Sequence, residues 1–179
     1  MGIDFQGPFP ASHRYRNCYV LVIVDHCTRY LEAWPVKAAD SRCAIEILET
    51  HLCYRHSVAK EILVDQGSCF SSASFRDFCS KYNIRRLQTT AYNPNTNGIC
   101  ERTNVTIKRI VKKYVNKGHK DWDQFISKAV FSINTTVHTV TKFSSFFLVF
   151  NRQPNLRADN LLPSNNEFAD ENPVDLNSI

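Results

Sequence analysis

Three acidic residues lie beside glycines at the ends of regular segments. Asp4 lies within "GIDFQGP", Asp65 ends "EILVD" and opens "DQGSCF", and Glu101 begins a segment rich in lysine and arginine. Glycine lets a backbone approach a bound molecule closely, and Mg²⁺ prefers oxygen ligands such as carboxylates. Two such ions about 3.5–4 Å apart can activate an attacking oxygen and stabilise a leaving one. The candidate chemistry is therefore metal-assisted phosphoryl transfer.

Each of these acids also has an ordinary structural explanation. An aspartate next to a strand is commonly a turn residue or a helix cap. A glutamate in the first turn of a helix interacts favourably with the helix dipole. Residues 66–100, 35 in number, separate Asp65 from Glu101, and this interval alone does not choose between the explanations.

The segment after Glu101 predicts a long helix with two different faces. At about 100° per residue, one face should pack on the core and carries Ile99, Thr103, Ile107, Ile110, Val111 and Tyr114. The opposite, outward face carries Glu101, Asn104, Lys108 and Lys112. On this face the two lysines are placed to meet phosphates while Glu101 meets a metal ion.

The elements that must position these residues follow from the hydrophobic pattern. The run "CYVLVIVD" is typical of a central strand buried on both faces. Strands are predicted at residues 1–5, 18–25, 30–36, 61–65 and 84–89. Helices are predicted at 41–54, capped by Ser41, and at 74–82, 99–117 and 120–138, with "GSCFSS" as a loop and "SSFFLVF" as a short helix or buried turn. This order indicates an α/β domain with helices on both faces of a mixed sheet.

Charge and composition bound the class of protein. The chain carries a net charge of +5, of which residues 1–150 contribute +8 and the polar segment 151–179 contributes −3. A basic body favours a polyanionic partner. We therefore expect one core domain over 1–150 and a flexible acidic tail over 151–179. No signal peptide and no apolar stretch long enough to span a membrane is visible.

The cysteine pattern indicates a reduced intracellular protein. The seven cysteines are scattered and none forms a CxxC pair, unlike a disulfide scaffold. His51, Cys53 and His56 form an HxCxxH pattern. Because a zinc site needs a fourth ligand at suitable spacing, we interpret this pattern as a helix end and loop without metal.

Four motifs together resemble a known family. The stretches "GIDFQGPFP", "YVLVIVDHCTRYLEAWPV", "LVDQGSCF" and "YNPNTNGICERTN" are similar to the catalytic core of retroviral and retrotransposon integrases, in particular the Ty3/Gypsy group. The 35-residue interval between Asp65 and Glu101 matches the spacing of the family's second and third acids. The resemblance runs from residue 1 to about residue 155.

The resemblance implies a fold, a reaction and a set of site residues. The fold is ribonuclease H-like, a five-stranded mixed β-sheet flanked by α-helices. Asp4, Asp65 and Glu101 would form the catalytic triad and bind two Mg²⁺ or Mn²⁺ ions for 3′-end processing and DNA strand transfer. Tyr92, Asn97, Asn104, Lys108 and Lys112 would form the DNA-binding set, with Asn104 as a polar residue beside the glutamate. The implied partners are element ends, target DNA and further copies of the chain, as a dimer or higher oligomer, in the nucleus.

The sequence also departs from the family pattern. Ser145 and Asn151 replace the usual proline and glycine in "SSFFLVFNRQP", away from the acids. Because the first residue already lies in a strand, and no zinc-binding domain precedes it, we expect the chain to be truncated at its start. Two rival hypotheses therefore stay open beside an active strand transferase. One is a catalytically weak or domesticated binding module. The other is a ribonuclease H, but the "NPNTNGICER" segment favours an integrase instead.

Overall fold

A five-stranded sheet forms the centre of the molecule. The structure is a computed structural model that describes residues 1–88, 98–114, 120–139 and 141–156. The strands are β1 (Gly2–Gln6), β2 (Tyr19–Val24), β3 (Leu31–Val36), β4 (Glu61–Val64) and β5 (Arg85–Gln88). Their order across the sheet is β3-β2-β1-β4-β5. The first three strands are antiparallel, and β4 and β5 run parallel to β1. The predicted mixed sheet is confirmed.

Seven α-helical segments connect and cover these strands within the described residues. They are α1 (Ser41–Ile47), α2 (Tyr54–His56), α3 (Ser68–Ser71), α4 (Ala73–Lys81), α5 (Gly98–Lys112), α6 (Ile126–Thr135) and α7 (Ser145–Phe150). A π-helical segment, Leu48–Cys53, joins α1 to α2, and a 3₁₀ turn, Trp122–Phe125, precedes α6. None of the described helices is long and apolar enough to cross a membrane.

Several predicted boundaries were wrong, and each has a local cause. Asp40, not Ser41, caps α1, because its carboxylate accepts a hydrogen bond from the Cys43 amide at 2.8 Å. The expected loop "GSCFSS" contains the short helix α3. The predicted helix 120–138 is shorter, since its first turn is 3₁₀ and α6 ends at Thr135. The predicted extension of α5 to residue 117 and most of the predicted tail, residues 157–179, lie outside the described residues.

Two separate apolar cores cover the two faces of the sheet. Side chains of one strand point alternately to opposite faces. Ile3, Leu21 and Ile23 face one way, against helices α1 and α4. Val20, Val22 and Val24 face the other way, against helices α5 and α6. The side toward α1 and α4 is called the α1/α4 face below, and the other the α5/α6 face.

Gly2 lets helix α5 approach the centre of the sheet. Gly2 lies on the α5/α6 face, and a Cβ atom added there would lie 2.4 Å from Cys100 Sγ and 2.7 Å from His26 Nε2. Cys100 itself is fully buried. A side chain at residue 2 would therefore push the first turn of α5 away from β1. The consequence is that residues near Cys100 on α5 can reach the strand that carries Asp4.

The two departures in the final helix concern packing. Ser145 is buried at the first turn of α7. Asn151 ends the helix in the left-handed conformation, with φ +48° and ψ +37°. Asparagine tolerates this conformation better than most residues, so it can replace a glycine there. Neither residue is among the groups that act on Asp4.

Candidate active site

Asp4, in the middle of β1, lies level with Asp65, which directly follows the neighbouring parallel strand β4. Gly2 of β1 is level with Leu63 of the neighbouring parallel strand β4, so two residues further along Asp4 is level with Asp65. Asp4 also pairs with Val22 across the antiparallel side, which places its side chain on the α5/α6 face. The carboxyl ends of parallel strands are where ligands commonly bind in α/β sheets.

The Asp4 carboxyl group is only half exposed and strongly influenced by its neighbours. Burial raises the pKa of Asp4, and the negative charges of Asp65 and Glu101 raise it further. A hydrogen bond from Asn104 Nδ2 to Asp4 Oδ2, 2.6 Å long, opposes this rise. The structure thus brings Asp65 and Glu101 close enough to Asp4 for their charges to act on it.

The Asp65 carboxylate is held by the turn that follows β4. Its Oδ1 atom accepts a hydrogen bond from the Gly67 amide at 2.9 Å. A Cβ atom at Gly67 would lie 2.8 Å from the same oxygen. The glycine in "DQGSCF" therefore has a local reason, because any other residue would force Asp65 to rotate.

Glu101 and Asn104 come from helix α5 but differ in their surroundings. Glu101 is exposed in the first turn of the helix. Asn104 is partly buried and bonds to Asp4, so the prediction of an outward-facing Asn104 was wrong. The reason is that α5 packs its Cys100–Ile107 side on the sheet, and position 104 lies between those two residues on the helix surface.

Two lysines extend the positive surface along α5. Lys108 and Lys112 are both exposed. Lys108 Nζ lies 5.8 Å from the centre of the Phe9 ring, within the range of a cation–π interaction. Both lysines follow Glu101 on the same side of the helix, which leaves them free to contact phosphates. Tyr92 and Asn97, the other two predicted DNA contacts, lie outside the described residues.

Gln6 is a site residue that the sequence reasoning missed. It is 4% exposed, and its Nε2 atom donates to the Asn104 carbonyl at 2.9 Å. Gln6 therefore helps to position Asn104, which donates a hydrogen bond to Asp4. The signal was available, because Gln6 lies two positions after Asp4 and side chains two apart in a strand share a face.

Cys100 is a packing residue rather than a reactive thiol. Burial raises the pKa of Cys100 to about 12, and Asp4 contributes to this rise. The side chain therefore stays a neutral thiol at physiological pH. Its role is to fill the space that Gly2 leaves between α5 and the sheet.

The candidate site offers the oxygen ligands that a hard divalent cation prefers, although its three carboxylates do not enclose an ion. Asp4, Asp65 and Glu101 offer oxygen ligands, and their mutual repulsion is the electrostatic condition that a cation relieves. Among the described residues, no group of three acidic, histidine or cysteine side chains is close enough together to hold an ion as it stands. In the HxCxxH segment, His51 packs on Trp34 and His56 bonds to Glu32 at 2.8 Å.

The comparison with protein families decides the family of the chain. The model of the integrase core domain matches residues 2–94. The chain belongs to the integrase core domain family. This matched part of the integrase core includes Asp4 and Asp65 and all five strands.

The relatives of this integrase core are viral and transposon polyproteins. It is 33% identical over 154 residues to the Pro-Pol polyprotein of feline foamy virus, covering 86% of the chain and 13% of that polyprotein. It is 26% identical over 154 residues to the Retrovirus-related Pol polyprotein from transposon 412 of Drosophila melanogaster, covering 86% and 12%. The chain therefore spans about an eighth of the length of these relatives. The expected resemblance to retroviral and retrotransposon elements is confirmed.

Solved structures confirm the fold. The catalytic core domain of HTLV-2 integrase in complex with magnesium, a trimeric form, matches with a TM-score of 0.64 and 22% identity, covering 83% of this chain and 93% of that one. A chain of the simian T-cell lymphotropic virus intasome, in complex with the PP2A regulatory subunit B56 gamma, matches with a TM-score of 0.71 and 24% identity, covering 91% and 56%. The integrase core therefore has the ribonuclease H-like fold.

Proposed function

We propose that this integrase core carries out polynucleotidyl transfer on DNA, as 3′-end processing followed by strand transfer. The observation that carries the proposal is the position of Asp4. It lies level with Asp65 and is bonded to Asn104 of the helix that bears Glu101. The charges of both other acids act on it. In this proposal the three carboxylates, one within β1, one directly after β4 and one on α5, act together on a bound phosphodiester.

The two steps share one chemistry. In processing, a water oxygen attacks the phosphorus atom and forms a new P–O bond while the P–O3′ bond of the element strand breaks. The 3′ oxygen takes up a proton released by the water and becomes a 3′-hydroxyl, and the departing nucleotide carries the 5′-phosphate. In strand transfer, that 3′-hydroxyl attacks a target phosphodiester and the target's own 3′ oxygen leaves with a proton. Two bound Mg²⁺ or Mn²⁺ ions, held by Asp4, Asp65 and Glu101, would supply charge neutralisation at the phosphodiester.

The surrounding residues have positioning and binding roles in this proposal. Asn104 keeps the Asp4 carboxylate oriented, and Gln6 holds the backbone of Asn104. Lys108 and Lys112 contact phosphates of the bound DNA. Tyr92 and Asn97 contact the DNA end. In this proposal the DNA runs along the exposed side of α5.

Partners and place of action follow from the same proposal. Two of the structures similar to this chain are an intasome and a trimeric integrase core. We infer that this core also works on DNA as an oligomer, and in the nucleus, where target DNA lies. Size-exclusion chromatography coupled to light scattering at high protein concentration tests the oligomer, and a monomer at every concentration would contradict it.

Disintegration of a branched DNA that mimics the integration product tests the reaction. With Mn²⁺ or Mg²⁺, we expect release of the branch by the wild-type chain. The rate should fall at least about 100-fold, roughly 2.7 kcal/mol of barrier at 1.36 kcal/mol per tenfold, in Asp65→Asn and in Glu101→Gln. Asp77→Asn, which changes an exposed acid on α4, is the matched control and should keep the rate.

The same assay separates the rival function. A chain that binds DNA tightly and salt-sensitively but releases no branch, with Asp65→Asn binding as well as wild type, is a binding module. That result would replace the enzymatic proposal. Cleavage of RNA in a hybrid by the wild-type chain, with no effect on branched DNA, would instead identify a ribonuclease H.

A further inference from the structure

A basic pocket lies beside helix α5, away from the candidate active site. It has a volume of about 620 Å³ and is formed by the turn after β2, helix α5 and the end of helix α6. Three arginines line it: Arg29, Arg102 and Arg109. The described residues that line the pocket include no aspartate or glutamate. The pocket is therefore positively charged without internal compensation.

Helix geometry separates this pocket from the candidate active site. Arg102 directly follows Glu101, and Arg109 directly follows Lys108. Each step along an α-helix turns the side chain by about 100°. The two arginines therefore point to a different side of α5 from the residues assigned to the site. Thr106 and Ile110 form part of the helix wall of the pocket beside them.

The arginines have no acidic partner in the part of the chain that the structure describes. The ion pairs found there join other residues, on the other side of the sheet or at its edge. Arg29 is half-buried, and its Nε atom is buried without a hydrogen-bond partner. Guanidinium groups present several donors in a planar fork that matches phosphate oxygens. A bound anion would accept hydrogen bonds from these guanidinium groups and balance their charge.

The backbone of Arg29 makes it a good position for testing the side chain. Arg29 has a φ of +63°, a conformation that glycine adopts at little cost and other residues rarely adopt. The turn is closed by the Arg29 amide donating to the Asp25 carbonyl and the Asp25 amide donating to the Tyr30 carbonyl, both at 2.9 Å. Glycine at this position would therefore remove the guanidinium group without straining the turn.

The hydroxyl groups in the pocket narrow the ligand further. Thr103 Oγ1 donates to the Ile99 carbonyl at 2.8 Å, and Thr106 Oγ1 donates to the Arg102 carbonyl at 3.0 Å. Their protons are therefore engaged within the helix. On the α5 wall, the contacts available to an anion therefore come from Arg102 and Arg109, and three guanidinium groups in one pocket favour a ligand with several phosphates over a single small anion.

We propose that Arg29, Arg102 and Arg109 form a second anion site, which binds consecutive phosphates of a polyphosphate chain or of a nucleic-acid backbone. This site is separate from the one that performs phosphoryl transfer. It does not depend on the proposed reaction, because binding there needs neither the three carboxylates nor a metal ion.

Isothermal titration calorimetry with inorganic tripolyphosphate, in the presence of EDTA, tests the site directly. We expect Arg29→Gly to weaken binding at least about tenfold, as for the removal of a charge-assisted hydrogen bond. Because glycine suits a φ of +63°, this variant should fold at least as stably as wild type. Arg109→Gln, on the exposed surface of α5, should weaken binding similarly.

The control removes one positive charge elsewhere. Arg42→Gln changes an exposed arginine of α1, on the far side of the sheet, and should leave tripolyphosphate binding unchanged. Equal losses for Arg42→Gln and Arg29→Gly would show general charge attraction and would overturn the proposal. Unchanged binding in both Arg29→Gly and Arg109→Gln would also overturn it.

A second measurement identifies the source of the phosphates. Binding of a duplex DNA is measured against salt concentration for wild type and for the triple variant Arg29→Gly, Arg102→Gln, Arg109→Gln. If the ligand is a nucleic acid, the plot of log K against log salt concentration should become less steep. Its slope should be smaller in magnitude by about 0.9 for each phosphate that the variant no longer neutralises. An unchanged slope, together with weakened tripolyphosphate binding, would assign the site to free polyphosphate.

Discussion

The two faces of the sheet are built from the same strands but do different work. On the α1/α4 face, the contacts are apolar and partly aromatic, with the Phe75 ring contacting those of Phe70 and Phe78. On the α5/α6 face, β1 contributes Gly2, Asp4 and Gln6, which meet the helix through close approach and hydrogen bonds. Alternation along β1 thus gives one face apolar contacts with its helices and gives the other face, beside its own apolar core, the polar candidate site.

The largest expected effect is on the α1/α4 face. Phe75 is fully buried, so Phe75→Ala should lower the free energy of unfolding by about 3–5 kcal/mol, through reduced apolar burial and a cavity. Urea denaturation followed by circular dichroism measures this decrease. Phe131→Ala, at a phenylalanine that is 50% exposed, is the matched control and should cost much less. Equal decreases would contradict the assignment of a packed core to this face.

A second substitution tests the close approach on the α5/α6 face. Gly2→Ala places a methyl group against Cys100 Sγ, and such overpacking costs about 1–3 kcal/mol of unfolding free energy. We also expect slower disintegration, because α5 carries Glu101 and Asn104. The double variant Gly2→Ala, Cys100→Ala should regain part of both losses. If the second change adds a further loss, the two residues do not compete for the same space.

The third prediction separates chemistry from stability at Asp4. Because burial and neighbouring acids raise the pKa of Asp4, its ionised form is the one that folding disfavours. Stability contributed by the protonated form is complete below the unfolded-state pKa and is lost as pH rises through the raised pKa. Asp4→Asn should therefore unfold at a higher temperature than wild type at pH 7.5 in EDTA, and the difference should shrink as the pH is lowered to the ordinary carboxyl value of 3.8 and below.

Added Mg²⁺ should reverse the order of thermal stability, so that wild type unfolds at a higher temperature than Asp4→Asn. A ligand of the native state stabilises it by about 1.4 kcal/mol at ten times its Kd. Wild type should gain this from Mg²⁺, whereas Asp4→Asn should gain much less. Thermal unfolding in a Mg²⁺ titration measures the difference. An equal gain in both proteins would show that Asp4 holds no ion.

The smallest effect on stability is expected at Gly67. Its φ is −53°, so alanine fits the backbone, and the added Cβ atom meets only the end of the Asp65 side chain. Gly67→Ala should therefore change the free energy of unfolding by less than about 0.5 kcal/mol. It should still slow disintegration, because Asp65 must leave its bond with the Gly67 amide. Wild-type activity in this variant would show that the orientation of Asp65 does not matter.

Much of the fold could be predicted from local pattern. The apolar run of β2 and the helical spacing in α5 depend on neighbours in sequence, so their type was clear. Element boundaries were predicted wrongly where a single hydrogen bond sets them, as at the Asp40 cap of α1. The three candidate acids were found from residue type, flanking glycine and the resemblance, and their roles stay predictions together with those of the DNA-binding residues.

The sequence by itself therefore determined the mixed α/β architecture and the acids that could bind metal, because periodicity and spacing are local properties. Only the tertiary structure decided that Asn104 faces Asp4, 100 residues earlier in the chain, and that Gln6 supports it across 98 residues. It also decided that Arg29 shares a pocket with Arg102 and Arg109. These partners meet because strands and helices pack in three dimensions, and no local pattern encodes which distant side chain will lie opposite.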